Sequence, residues 1–209
     1  MCGHGRDRPR SIDSLTADVV SVVRMKAQGC CVVAELVGVE IRIPPILDGL
    51  EIESVAERLA TLSAKVQDAL PRPSPHPIRD LAASLGHRVN ITRKVPEPFL
   101  GLVHPQTGVI HVKPFRDART EDVLIAHELL HPVLADEHPH HSHSDVWHAA
   151  LATLAPRGML RALARTGRLS AAEIAVEAGM PWWAAAIRLD AWMEREGAGL
   201  LGSTDERAA

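Results

Sequence analysis

The stretch VLIAHELLHPVLADEHPHHSHSDVWHAAL, residues 123–151, holds seven of the chain's twelve histidines. Within it, His127 and His131 flank Glu128 in the spacing H-E-x-x-H. On a helix, residues four apart lie on one face, so both imidazoles can bind the same ion. Zinc lowers the pKa of a bound water to roughly 7, and a nearby carboxylate can take the proton. The pattern therefore indicates a zinc site with Glu128 as general base, typical of metallopeptidases.

The segments around this motif predict the elements that hold it. Residues 77–86 predict a short helix, residues 87–92 a strand, and residues 99–115 a hairpin around the turn PQTG. Thr120, which two acidic residues follow, is the expected start of the motif's helix. Pro132 comes directly after the second histidine of the motif and has no N–H to donate. We therefore expect the helix to kink or end early there.

Composition changes divide the chain into four parts. The proline-rich linker PRPSPHP follows an amphipathic helix expected at residues 50–70 and is the natural boundary. The expected parts are an N-terminal α/β extension of unknown role at 1–70, a metallopeptidase core at 71–156, a C-terminal helical segment at 157–202 and a disordered tail at 203–209.

The order of these segments resembles that of the ImmA/IrrE family of zinc metallopeptidases, from about Pro77 to Trp192. LGLVHPQTGVIHV is similar to the family's hairpin, LIAHELLH to its zinc helix, and DVWHAALATLAP to its second metal helix. AEIAVEAGMPWWAAAIRL resembles the helix-turn-helix segment that follows. The resemblance implies an α+β fold in which a small antiparallel sheet packs on the two metal helices. It also implies peptide binding along an edge strand, and a DNA-binding repressor as substrate.

A catalytic zinc needs a third protein ligand, and two patterns compete for it. Under the ImmA/IrrE pattern, counting back from Pro156 leads to Asp145, where relatives carry glutamate, and Asp145 is the first choice. The H-x-x-x-W pattern of the SprT-like proteases, which act on proteins crosslinked to DNA, makes His143 the alternative. His141 and His148 are the remaining candidates. His148 shares a helix face with Asp145, so it could instead hydrogen-bond a ligand residue without touching the metal.

Composition and charge exclude several classes of protein. A net charge of −3 gives no basic footprint for DNA. The would-be recognition helix PWWAAAIRLD offers one arginine for base edges, so we expect a packing module without specific DNA binding. Three cysteines without C-x-x-C spacing indicate neither a disulfide framework nor a cysteine zinc site. The apolar runs are too short to span a bilayer and no signal peptide is visible, so we expect a cytoplasmic protein without membrane contact.

The sequence thus predicts a zinc-dependent endopeptidase that cleaves or inactivates a helix-turn-helix repressor. Glu128 is the expected catalytic residue, and Zn²⁺ is expected on His127, His131 and Asp145, with His143 as the alternative third ligand. Two other functions remain open: a SprT-like zinc protease, and a regulator that binds metal or a repressor without cleaving it. The histidine-rich loop at residues 138–143 is most simply a solvated tract that traps metal adventitiously.

Overall fold

The computed structural model describes the backbone of residues 49–202 and the side chains of residues 51–196. Most of the expected N-terminal extension, and the tail at 203–209, lie outside the described residues. Within them the fold is α+β, with seven helices and one three-stranded sheet. The elements in chain order are α1 (Gly49–Ala69), α2 (Pro77–Ser84), β1 (Arg88–Ile91), β2 (Gly101–His104), β3 (Val109–Val112), α3 (Ala118–Glu137), α4 (His143–Leu154), α5 (Arg157–Arg165), α6 (Ala171–Glu177) and α7 (Trp182–Gly202).

The sheet has the strand order β1-β3-β2 and is mixed. β2 and β3 form the expected antiparallel hairpin, whose turn ends at Gly108 with a φ of +63°. β1 pairs with the other side of β3 in parallel, with Arg88 opposite Val109. The expectation of an antiparallel sheet is therefore corrected for β1. The connection from β1 to β2 leaves room for β3 between them, and β3 runs parallel to β1 and antiparallel to β2. Strand β2 is therefore an edge strand of this sheet.

Helix α3 is the centre of the fold. Every residue from Glu121 to Leu130 is buried, so the helix is covered on all sides over this stretch. It contacts β2 and β3 on one side, and α2 and α4 on others. A helix surrounded in this way has no solvent-facing stripe, which places the H-E-x-x-H motif deep in the molecule.

The first turn of α3 is fixed by acidic side chains. The helix begins two residues earlier than Thr120 predicts, because the Asp117 carboxylate accepts a hydrogen bond from the backbone N–H of Arg119. Arg79 of α2 donates to Asp122 at 2.8 Å and to Glu121 at 2.9 Å. These charge-assisted bonds join α2 to the start of α3 and set where the helix enters the core.

Pro132 lies inside α3 and does not end it. The helix continues for five more residues to Glu137, which corrects the expectation of an early end. Proline removes one backbone hydrogen bond in a helix. Leu134 is fully buried in the core two residues later, and burial of a leucine contributes about 1.5–3 kcal/mol. Packing of the following turn thus offsets the lost bond.

Helix α1 packs on α4 and belongs to the same hydrophobic core. Helical periodicity predicts one apolar stripe of Ile52, Val55, Leu59, Leu62 and Val66, of which the first three are buried and the last two half-buried. Helix α1 is also joined to α7 by an ion pair. Arg188 of α7 is only 2% exposed and donates two hydrogen bonds to the carboxylate of Glu53 on α1, at 2.6 and 3.0 Å. Residues 49–69 are therefore packed against α4 and tied to α7.

The C-terminal segment has the expected helix-turn-helix order. Helices α6 and α7 are separated by a turn at Gly179, whose φ of +61° only glycine adopts without cost. Arg188, the one arginine expected to be available for base edges, is the buried partner of Glu53. Across the described residues, no helix combines the length and the apolar character that a bilayer span requires.

Candidate metal centre

Two helices bring three histidines to one place. His127 and His131 lie one turn apart on α3, and His143 is the first residue of α4. One ring nitrogen from each lies within 4.8 Å of the others. His127 is fully buried, while the other two rings are half-buried. The cluster could hold a metal ion between the helices.

The spacing of two of these nitrogens fits a tetrahedral ion. The Nε2 atoms of His127 and His131 lie 3.1 Å apart. Two imidazole nitrogens bound to zinc at about 2.0–2.1 Å in tetrahedral geometry would lie roughly 3.3 Å apart. The Nε2 atom of His143 is buried and has no hydrogen-bond partner among the described residues. A buried nitrogen of this kind costs free energy unless something binds it, and a metal ion would supply that partner.

All three imidazoles are neutral at physiological pH. Burial lowers the pKa of His127 well below its usual value, and the neighbouring His131 and His143 lower it further. Burial, with His143 and His141, lowers the pKa of His131 to about 3. Burial and His141 lower the pKa of His143 to about 4. Neutral rings have a free lone pair, which is the state that binds a metal ion.

Trp147 supports the cluster from α4. Its ring lies 4.1 Å from the His127 ring, measured between centroids, with a tilt of 39°. Trp147 follows His143 by one helical turn. Helix α4 therefore supplies both the candidate ligand His143 and the aromatic ring that packs against the candidate ligand His127. The Nδ1 atom of His127 makes no hydrogen bond within the described residues. Aromatic packing, rather than the usual hydrogen bond from this nitrogen, orients the His127 ring.

His143, the alternative, takes the place in this cluster that the family pattern assigns to Asp145. The Asp145 carboxylate accepts hydrogen bonds from the Ser142 backbone N–H at 2.7 Å and from its hydroxyl at 2.8 Å. In return, the Ser142 hydroxyl accepts a bond from the Asp145 backbone N–H at 3.1 Å. This reciprocal capping box fixes the first turn of α4. Asp145 therefore holds the helix start from which His143 projects.

The catalytic candidate Glu128 is fully buried beside the start of β2. An ideal Cβ atom placed on Gly101 would lie 2.7 Å from its Oε1 atom and 3.2 Å from its Cδ atom. The carboxylate thus lies directly against the strand backbone, on the helix that carries the candidate ligands. His127 and His131 are brought together as the spacing predicts, and the role of Glu128 stays a prediction.

The other histidines of the tract have different positions. His141 lies in the loop between α3 and α4, and its Nδ1 atom bonds to the backbone carbonyl of His138 at 2.9 Å. His140 is exposed. His148 is buried on α4, and it is not a member of the three-histidine group. The tract therefore contributes one residue, His143, to the candidate site.

Several features of the site were not evident from the sequence. In the sequence, the inclusion of His143 in the cluster is indicated only by the H-x-x-x-W spacing, which also contains Trp147. The role of Gly101 had one weak signal, a glycine within an apolar strand, which often marks close approach of another group. The pairing of Arg188 with Glu53 had no signal, because neither residue's surroundings in the sequence indicate the other.

Comparison with known proteins identifies no family. No family model matches the chain, and no curated protein matches it. Among solved structures, a Mycobacterium tuberculosis transcriptional regulator aligns with a TM-score of 0.48 and 18% identity, over 66% of this chain and 46% of that one. The chain thus spans less than half the length of that protein. A likeness of this degree does not extend to family or function.

Proposed function

We propose that this protein is a zinc-dependent endopeptidase in which His127, His131 and His143 bind zinc and Glu128 is the general base. The observation that carries the proposal is the convergence of three neutral imidazoles within 4.8 Å, beside a buried glutamate in the H-E-x-x-H spacing. Catalytic zinc sites have three protein ligands and an open position, whereas structural sites have four. Among the described residues the group has three members, the number of protein ligands that a catalytic site uses.

The chain's residues divide the chemistry between them. Zinc bound here would lower the pKa of a water to roughly 7 and polarise the scissile carbonyl. Glu128 takes a proton from the attacking water as its oxygen bonds to the carbonyl carbon. The same carboxylic acid then delivers that proton to the amide nitrogen as the C–N bond breaks. Trp147 holds the His127 ring in place throughout.

Strand β2 is an edge strand of the described sheet, and the proposed substrate backbone pairs with it. The backbone N–H of Lys113 donates to the carbonyl of Leu100, so these residues form a hydrogen-bonded antiparallel pair. Hydrogen-bonding direction alternates along a strand. The N–H and C=O groups of Gly101 and Val103 therefore point away from β3, on the outer side of this strand, where both residues are buried. An extended peptide can pair with them by strand addition, next to Glu128.

A DNA-binding repressor is the proposed substrate, which rests on the ImmA/IrrE-like order of segments. One observation favours a second candidate, a SprT-like protease. The cluster contains His143 with Trp147 four residues later, which is the H-x-x-x-W pattern. Against it, the buried pairing of Arg188 with Glu53 removes a cation that DNA contact would use.

The test uses the zinc-loaded protein with two substrates. One is the repressor encoded nearest its gene, and the other is a proteome-derived peptide mixture read by mass spectrometry for new N-termini. We expect cleavage that chelation abolishes and that Glu128→Gln lowers by about 10²- to 10⁴-fold, the usual loss for a general base. Zinc content should stay at one ion per chain in that variant. Glu137→Gln, on the exposed end of the same helix, should cleave at the parent rate.

Other outcomes separate the alternatives. Stable, metal-dependent association with the repressor without cleavage would support the regulator. Cleavage confined to protein crosslinked to DNA would support the SprT-like protease. Cleavage by Glu128→Gln at the parent rate would remove Glu128 from its role.

A further inference from the structure

Gly101 is required for space and not for backbone conformation. Gly101 is not among the described glycines that have a positive φ, so an alanine at this position meets no backbone strain. Glycine within a strand weakens it, because glycine loses more conformational entropy on folding than other residues. What an added Cβ would meet is Glu128: Oε1 at 2.7 Å, Cγ at 3.1 Å and Cδ at 3.2 Å.

The contact leaves the Glu128 side chain little room to move. Three of its atoms lie within 3.2 Å of the missing Cβ, so rotating the carboxylate alone would not relieve the overlap. Glu128 is also fully buried, and α3 packs against both β2 and β3. A side chain at position 101 would therefore displace the carboxylate while the helix and strand backbones stay in place.

Gly101 also lies where the substrate backbone is expected. It is the first residue of β2, and although it is buried, its N–H and C=O point away from β3, on the side where a peptide would pair with this edge strand. One residue thus touches the general base with its Cα side and faces the bound peptide with its backbone. The distance between the proton acceptor and the peptide bond is set across this single glycine.

We propose that Gly101 is a positioning residue: its lack of a side chain fixes the Glu128 carboxylate at the reacting distance from a peptide bound along β2. The inference rests on the proposed peptidase function for its kinetic consequence. Its structural consequence, the position of Glu128, does not depend on that function.

The first test compares Gly101→Ala with the parent protein. We expect a kcat lower by about 10²-fold, the order of loss that a misplacement of 1 Å causes. KM should change by less than about twofold, because the backbone groups of the edge strand are kept. Zinc stoichiometry and affinity should equal those of the parent. Gly158→Ala is the matched control, since nothing lies within 4 Å of a Cβ at that helical position.

The second test needs no activity. A crystal structure of zinc-loaded Gly101→Ala should show the Glu128 carboxylate displaced, with the three histidines unmoved. If Gly101→Ala unfolds at a lower temperature, the loss should disappear in the Glu128→Ala background, where the overlapping atoms are absent. The same loss in both backgrounds, or an unmoved carboxylate, would overturn the proposal.

The failure of this inference can be told apart from failure of the proposed function. If the parent protein cleaves nothing but Glu128 is displaced in Gly101→Ala, the peptidase function is contradicted and the positioning role is supported. If the parent protein cleaves its substrate and Gly101→Ala has the same kcat, the peptidase function is supported and the positioning role is contradicted.

Discussion

Two neighbouring residues of α4 have different tasks. His143 presents a buried nitrogen to the cluster, whereas Asp145 turns back to bond Ser142. Aspartate suits such a cap because its short carboxylate reaches the N-terminal amides of its own helix. A family pattern that fixes position without side-chain direction cannot separate these tasks. The local geometry of the helix start does.

Substitution of these two residues should affect zinc differently. His143→Ala should weaken zinc binding by more than the roughly 10- to 100-fold that loss of an outer residue costs. Asp145→Ala should keep one zinc per chain and lose about 1 kcal/mol of stability, as removal of a helix cap does. The measurements are competition with a chromogenic chelator and denaturant unfolding.

Two further variants complete this comparison. Ser142→Ala removes the other half of the cap and should reproduce the stability loss of Asp145→Ala. His140→Ala, on an exposed loop residue, should match the parent in both measurements. If Asp145→Ala lost zinc while His143→Ala retained it, Asp145 would be the ligand and the cluster would have been assigned wrongly.

Elements distant in sequence are joined by a buried ion pair. Arg188 of α7 donates to Glu53 of α1 and, through Nε, to the backbone carbonyl of Ala155 at the end of α4. Three helices therefore share one guanidinium. Helix α4, which carries the candidate ligand His143, is held at both ends, by the Ser142 cap at its start and by this group at its end.

Removal of Arg188 should destabilise the fold strongly. Arg188→Ala leaves the buried Glu53 carboxylate without its main partner, and breaking a buried pair costs about 3–5 kcal/mol. The double variant Arg188→Met, Glu53→Leu removes both charges and should lose less than Arg188→Ala alone. Urea unfolding measures both. Arg161→Ala, which breaks a half-exposed pair with Glu196, is the control and should cost at most about 1 kcal/mol.

Local patterns in the sequence predicted most elements, because such patterns depend on near neighbours. The hairpin, the helix that begins at Pro77 and the buried stripe of α1 were all expected from periodicity and turn residues. The start of α3 was missed because Asp117 and Thr120 are both residue types that cap helices. The parallel pairing of β1 with β3 was missed because strand partners across a sheet leave no periodic signal. The closeness of His127 and His131 was predictable because both lie on one helix, whereas His143 joins them from another helix and was only the alternative candidate.

At the scale of the molecule, charge is largely neutralised within the fold. Arg157 and Arg161 both contact Glu196, and Arg168 contacts Glu173. These three arginines of the C-terminal segment are thus less available for phosphate contacts, and the net charge of −3 gives no basic excess.

The full chain should show only weak, nonspecific DNA binding. Fluorescence anisotropy with duplex DNA from upstream of its own gene should give an affinity that falls steeply between about 50 and 200 mM salt, as phosphate-only contacts do. Footprinting on the same duplex should show no protected segment. Protection of a defined operator at the higher salt would identify the helix-turn-helix segment as a DNA reader.

The ion pair between Glu53 and Arg188 also has a consequence for synthesis on the ribosome. The two residues are 135 positions apart. At about 5–20 residues per second, Glu53 is made on the order of 10 s before its partner. Once residue 154 is made, the nascent chain contains α1, α3 and α4, yet the Glu53 carboxylate that α7 covers still needs water. The surface where α1, α4 and α7 meet therefore cannot close until α7 has been made, so the final packing of these three helices follows its synthesis.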